Sequence, residues 1–151
     1  FVLVQTERSV VQLNGEREKA RVERWRRIAK EAAEQAHRAI VPAIEGVTSL
    51  RRALEMMSDA SILTLHPDGN TLPLVEWIRR RPSSQRVAVI VGPEGGLTDE
   101  EVDLCVRYGA VSVSLMPRIL RTETAALVAV SQILFVTEHL VSTGFVEQGF
   151  T

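Results

Sequence analysis

Arg118, Arg121, Thr122, Glu123 and Thr124 crowd the entrance to a long apolar run, "AALVAV". Two arginines and a carboxylate so close to an otherwise apolar element would make the polar floor of a pocket. A plainer reading of the same residues makes Thr122 an N-cap and Glu123 a partner of the helix dipole. A second unusual stretch, "VGPEGGLTDEE", runs from Val91 to Glu101 between an apolar run and a helical pattern. Glycines there let backbone groups approach a ligand closely. The stretch lacks the Lys-Ser/Thr of a P-loop and does not spell G-x-G-x-x-G. Thr98 is placed as an N-cap, with Glu101 three residues on to complete a capping box. Asp99, Glu100 and Glu101 would confront a phosphate with three negative charges, whereas a neutral, zwitterionic or cationic ligand is compatible. A purely structural strand-to-helix turn also answers to this sequence.

The remaining reactive residues are sparse. His66 falls in the polar turn "HPDGN" and has no second ligand at useful spacing, so no metal site is expected. His37 and His139 read as structural or solvent-facing. Cys105 is the one cysteine, which excludes an internal disulfide, and its helical setting suggests a buried, inert thiol. Arg17, Lys19, Arg21, Arg24, Arg26, Arg27 and Lys30 outnumber Glu16, Glu18 and Glu23 in one stretch. That basic surface could track phosphates, or simply be a solvated helix face. Glu31, Gln35 and Arg38 are spaced to share a helix face, as a site or as an i,i+4 surface network.

The elements that must position these groups can be read from periodicity. "FVLVQTERS" reads as a short buried strand beginning inside an apolar stretch, as an internal segment of a longer chain would. Asn14-Gly15 is a turn, with Asn14 capping a helix over 16–40 that Pro42 stops. "AIEGV" is a weak strand and "SLRRALEMM" a short helix. "ASILTL" and "RVAVIV" are buried strands separated by the helix "LPLVEWIRRR". "DEEVDLCVRY" is a helix stopped by Gly109, and "AVSVSL" a strand. "TETAALVAVSQILFVTEHLV" is a final helix, apolar almost all round, which predicts burial on every side, partly against a second copy. Strands alternating with helices predict an α/β domain with a mainly parallel sheet. Ligands in such sheets bind beyond the carboxyl ends of the strands, here at residues 66–70, 92–97 and 116–121.

Bulk properties agree with one domain over 1–151. The chain has 151 residues and a formal charge of −1, so overall charge does not announce a nucleic-acid partner. No apolar run is long enough to span a membrane, and a cytoplasmic location is expected.

"TERSVV", "ERWRRIAKEAAEQAHR", "VGPEGGLTDEE" and "RILRTETA", in this order, resemble the RsmE family of bacterial 16S rRNA methyltransferases, members of the SPOUT superfamily. The resemblance covers Thr6 to Leu140. It implies an AdoMet-dependent enzyme that methylates N3 of a single uridine in 16S rRNA of the small ribosomal subunit. It implies a sheet whose C-terminal part is tied in a deep trefoil knot, a rare exception to unknotted connections, and a homodimer formed through the C-terminal helix. By the same resemblance, the cofactor would be held by Leu65, His66, Val91, Gly92, Pro93, Glu94, Gly95, Gly96, Leu115, Met116, Ile119, Leu120, Arg121, Thr122, Thr124 and Ala125. Glu123 is expected as the base or as the group that orients it, Arg121 as the donor to the uracil oxyanion or an RNA phosphate, and Arg38 near the reacting centre. Two departures stand out: this sequence shows neither the family's N-terminal PUA-like domain nor its first strand-helix unit, and Leu115-Met116 stands where the family commonly has Leu-Gly. Competing readings are a SPOUT ribose 2′-O-methyltransferase, a non-catalytic AdoMet-binding module and an unrelated small-molecule enzyme. The first usually carries a Ser-Leu-Asn type motif where this chain has Arg121-Thr122-Glu123.

Overall fold

Apolar β-branched runs and amphipathic segments alternate along the chain, and they fold as strands and helices in that order. The computed structural model describes residues 1–10, 15–65, 71–80 and 86–140, with the side chains of 138–140 excepted. The expected Asn14 cap, the 66–70 loop with His66, the side chain of His139 and the tail 141–151 lie outside the described residues. The elements are β1 (Leu3–Gln5), α1 (Gly15–Gln35), β2 (Val47–Ser49), α2 (Leu50–Met56), β3 (Ser61–Leu65), β4 (Leu72–Pro73), α3 (Leu74–Arg80), β5 (Val87–Val91), α4 (Asp99–Arg107), β6 (Val111–Ser114) and α5 (Thr122–Leu134). A π-helical turn over Phe135–Leu140 extends α5.

Every described strand pairing is parallel. β4, β6, β3 and β5 lie in that order in one sheet, and β1 pairs with β2 in a second. Parallel pairing places the ends of β3, β5 and β6 at the same sheet edge, where ligands are expected in open α/β sheets. Successive residues of β3 point to opposite faces. Ile62 joins Leu50 and Leu54 of α2, Leu97 of the loop before α4 and Cys105 of α4 on one face. Leu63 joins Leu74, Trp77 and Ile78 of α3, Val113 of β6 and Ile133 of α5 on the other. The sheet is therefore covered on both faces, and its strands read as continuous apolar runs rather than alternating ones.

Two expectations need correction. The first helix ends at Gln35, not at residue 40. His37 takes a left-handed conformation (φ 51°), its N–H donates to Glu34 O at 3.1 Å, and Arg38 N–H donates to Ala33 O at 2.9 Å. That is a Schellman termination, normally signalled by glycine and here made by histidine. Thr122 is not an N-cap. Arg121 holds that position, with extended backbone and no side-chain capping bond, because a guanidinium cannot accept from the first-turn N–H groups. On helix α5, Ala129 and Ile133 are buried, while Leu127 is 74% and Phe135 55% exposed. One face packs on the sheet, and the opposite face is apolar and largely exposed among the described residues.

Candidate functional site

The loop after β6 turns across the sheet edge and feeds α5. Together with the ends of β3 and β6, the start of α3 and the far turn of α5 it encloses a cavity of about 790 Å³. Its walls include Leu65, Leu115, Met116, Ile119, Leu120 and Ala125, six of the residues expected to hold a cofactor. Ser114, Pro117, Gln132, Phe135 and Val136 line it as well. The helix periodicity carried no sign of the last three, since they face the cavity only because α5 folds back on the sheet. A largely apolar hollow of this size with a few polar groups suits an organic ligand of cofactor dimensions.

Arg118 lines the same cavity. Arg121, Glu123 and Thr124 are exposed at the head of α5, between the lining residues Leu120 and Ala125, and Thr122 is half-buried beside them. Among the described residues no ion pair joins Glu123 to either arginine. Arg38 is elsewhere. It lines a separate hollow, with Trp25 and Ile28 of α1 and with Phe1, Leu3 and Ile44.

The Gly-rich stretch forms a closed turn at the same sheet edge. Gly96 N–H donates to Pro93 O at 2.8 Å, with Gly96 at φ +72°. The capping box is formed as read: Glu101 N–H donates to Thr98 Oγ1 at 3.3 Å and Thr98 N–H to Glu101 Oε2 at 2.9 Å. Val91, Gly92, Pro93, Glu94, Gly95 and Gly96 do not line the cavity. Two of these glycines admit the protein's own atoms. A Cβ on Gly92 would stand 3.3 Å from Leu97 N and Cγ, and one on Gly95 would stand 3.3 Å from Arg8 Cβ. Arg8 is the residue that sequence reading missed at this site. Its Nη1 donates to Gly95 O at 3.0 Å and to Leu97 O at 3.3 Å. "TERS" was visible as a motif, but a contact across 87 residues leaves no periodicity to read.

Cys105 is buried beneath this turn. Loss of solvent, and then the Glu101 carboxylate, push its thiol up to about 11. It is a packing residue rather than a nucleophile. Among the described residues no three His, Cys, Asp or Glu side chains converge on a metal position.

A family model described as an RNA methyltransferase domain matches residues 1–134. The chain belongs to that family. Curated relatives of this RNA methyltransferase domain include the ribosomal RNA small subunit methyltransferases E of Bacillus subtilis, 39% identical over 93% of the chain, and of Mycobacterium bovis, 34% identical over 92%. The chain spans 57% and 54% of those proteins' own lengths. Among solved structures, the Neisseria gonorrhoeae ribosomal RNA small subunit methyltransferase E bound to S-adenosyl methionine superimposes with a TM-score of 0.80 at 36% identity, covering 88% of this chain and 54% of that one. A putative methyltransferase of Legionella pneumophila, solved with bound SAM, gives 0.78 at 34% identity, covering 87% and 52%. Among the described residues, no helix of this RNA methyltransferase domain is long and apolar enough to cross a membrane.

Proposed function

We propose that this chain is the cofactor-binding and methyl-transferring domain of a small-subunit rRNA methyltransferase. In this reading it uses AdoMet to methylate N3 of one uridine in 16S rRNA, in the cytoplasm. The observation that carries the reading is the cavity at the end of β3 and β6, walled by Leu65, Leu115, Met116, Ile119, Leu120 and Ala125, in a fold shared with two SAM-bound relatives.

The residues present fit the cofactor: an apolar hollow to receive a nucleoside, and backbone of the 92–97 turn at the same edge for its polar tail. Capped by Asp99, Glu100 and Glu101, that turn favours a cationic or zwitterionic guest over a phosphate. AdoMet bound there would supply an electrophilic methyl group carried on a sulfonium. The chain's own residues do the rest. Glu123 takes the N3 proton of uracil. Arg121 donates to the uracil oxygen on which negative charge gathers. Arg118, on the cavity wall, closes the polar rim. Water must be kept away while charge is being neutralised, and Glu123 is exposed in one copy.

A homodimer through α5 would supply that cover and bury Leu127, Val130, Leu134 and Phe135. The insertion of β6 between β4 and β3, with α5 returning against β5, supports a knotted C-terminal half. The exposed Arg17, Arg21 and Arg24 lie four and three residues apart on α1 and face the solvent as one stripe, suited to an rRNA backbone.

The test uses labelled AdoMet, unmodified small ribosomal subunits and the protein in its full natural length, with the labelled nucleoside identified by mass spectrometry. Label in 3-methyluridine is expected. Label on a ribose, or none, would overturn the reading.

A further inference from the structure

Helix α4 and the loop before it are bolted to a turn near the start of the chain. The turn Thr6–Ser9 closes on itself: Ser9 N–H donates to Thr6 O at 3.2 Å, Thr6 N–H donates to Ser9 Oγ at 3.1 Å, and the two hydroxyls lie 2.8 Å apart. Glu7 and Arg8 are left pointing outward. Glu7 N–H donates to Glu101 Oε1 at 2.9 Å. Arg8 Nη1 reaches Gly95 O at 3.0 Å and Leu97 O at 3.3 Å.

A peptide unit is planar and trans, so its carbonyl and its N–H point in opposite directions. The unit joining Gly95 to Gly96 has its carbonyl on Arg8 and its N–H on Pro93 O at 2.8 Å. The unit joining Leu97 to Thr98 has its carbonyl on Arg8 and its N–H on Glu101 Oε2 at 2.9 Å. Both planes are held from both sides, and Arg8 is the shared half of each. Its charge is permanent, and a hydrogen bond from a charged donor is the stronger kind. The stem of Arg8 also fills the space that a Cβ on Gly95 would take. In contrast, the N–H groups of Glu94 and Gly95 and the carbonyl of Gly96 bond to no described residue. With the neighbouring planes fixed, these three groups are presented in one fixed arrangement.

We infer that Arg8 is a positioning residue for cofactor binding: it fixes the 92–97 turn so that the unspent backbone groups of Glu94, Gly95 and Gly96 meet the polar end of the cofactor. The inference rests on the AdoMet reading proposed above. Arg8 itself touches no reacting atom.

Two readouts on the chain, with Arg8→Met and Arg8→Gln, test it. Calorimetric titration with AdoMet gives the affinity. Amide hydrogen exchange at Gly96 and Thr98 reports the two peptide planes. Arg8→Met should weaken AdoMet binding at least about tenfold, near 1.4 kcal/mol, and speed exchange at both amides while the near-ultraviolet circular dichroism of the fold is kept. Arg8→Gln, a neutral side chain that retains a donor, should fall between. Affinity within twofold of the parent in a folded variant would overturn the inference, whatever the exchange shows. If Arg8→Met does not fold, Arg8→Gln decides by the same criteria. If the parent chain itself binds no AdoMet, the cofactor reading fails. The clamp then stands on exchange alone: faster exchange at Gly96 and Thr98 keeps it, and unchanged exchange removes it.

Discussion

Thr64 Oγ1 and Ser112 Oγ lie 3.0 Å apart between neighbouring parallel strands, and Thr64 is 2% exposed. The pair sits where β3 and β6 are in register, Thr64 opposite Ser112. A buried hydroxyl with a partner contributes little net, but stripped of its partner it costs about 1–3 kcal/mol. Ser112→Ala should therefore lower stability by that amount, since it strands the more deeply buried group. Thr64→Val should cost less, and the double substitution less than the sum of the two. Urea unfolding of the four proteins gives the coupling. Additive losses would show the hydroxyls to be independent.

His37 ends α1 from a left-handed backbone position (φ 51°). An L-residue with a Cβ sits there at a cost of about 1–2 kcal/mol, which glycine avoids. Part of the gain from His37→Gly is returned because glycine has more freedom in the unfolded chain. A net stabilisation of about 0.5–1 kcal/mol is expected, and His37→Val should destabilise. Chemical denaturation midpoints, read at constant slope, decide the sign.

Cys105 carries a pH dependence whose direction follows from its shift. The folded thiol is pushed up to about 11 from an ordinary value of 9.0. Between these values the unfolded chain loses its proton and the folded chain keeps it. Stability from this group is full below pH 9 and declines as pH rises toward about 11. In Cys105→Ala the fall in stability over that window should be shallower than in the parent. Parallel curves would mean that the thiol titrates alike in both states.

Much of this architecture is legible in local sequence, and its misreadings have physical causes. β5 and α4 carry their own signals, an apolar β-branched run and a Thr98–Glu101 capping box, and both form where they were read. The stop of α1 was missed because histidine is an unusual residue for a left-handed cap. At the head of α5 the threonine suggested a cap, but the helix starts one residue sooner and leaves that job undone. Leu115, Met116 and Ala125, which wall the cavity, could be picked out because they lie within one contiguous motif. Arg8 could not be, because its partners are 87 and 89 residues away and only folding brings them together.

Glu123 is exposed in the first turn of α5, two residues before the cavity-lining Ala125. If it takes the N3 proton, Glu123→Gln keeps the shape and removes the base. Methyl transfer to small-subunit rRNA should fall by about 10²-fold or more, with AdoMet affinity within twofold of the parent. Full activity in the variant would remove the residue from the chemistry. A parallel loss of AdoMet binding would move it from the reaction to the cofactor.

The same exposure bears on assembly. Leu127 is 74% exposed, with Val130 at 47%, Leu134 at 45% and Phe135 at 55%. Residues 127, 130 and 134 follow helical spacing on one face of α5, with Glu123 one turn before Leu127 on the same face. Apolar faces of this kind mark an interaction surface, and a second copy is the occupant that would also cover Glu123. Leu127→Glu puts a charge in the middle of that face without touching the core of a single chain. Sedimentation at micromolar concentration should show a dimer for the parent and a monomer for the variant, with similar unfolding curves for the isolated fold. Methyl transfer should fall with the dimer, because Glu123 would lose its cover. A monomeric parent would overturn the assembly, and a monomeric variant with full activity would separate assembly from catalysis.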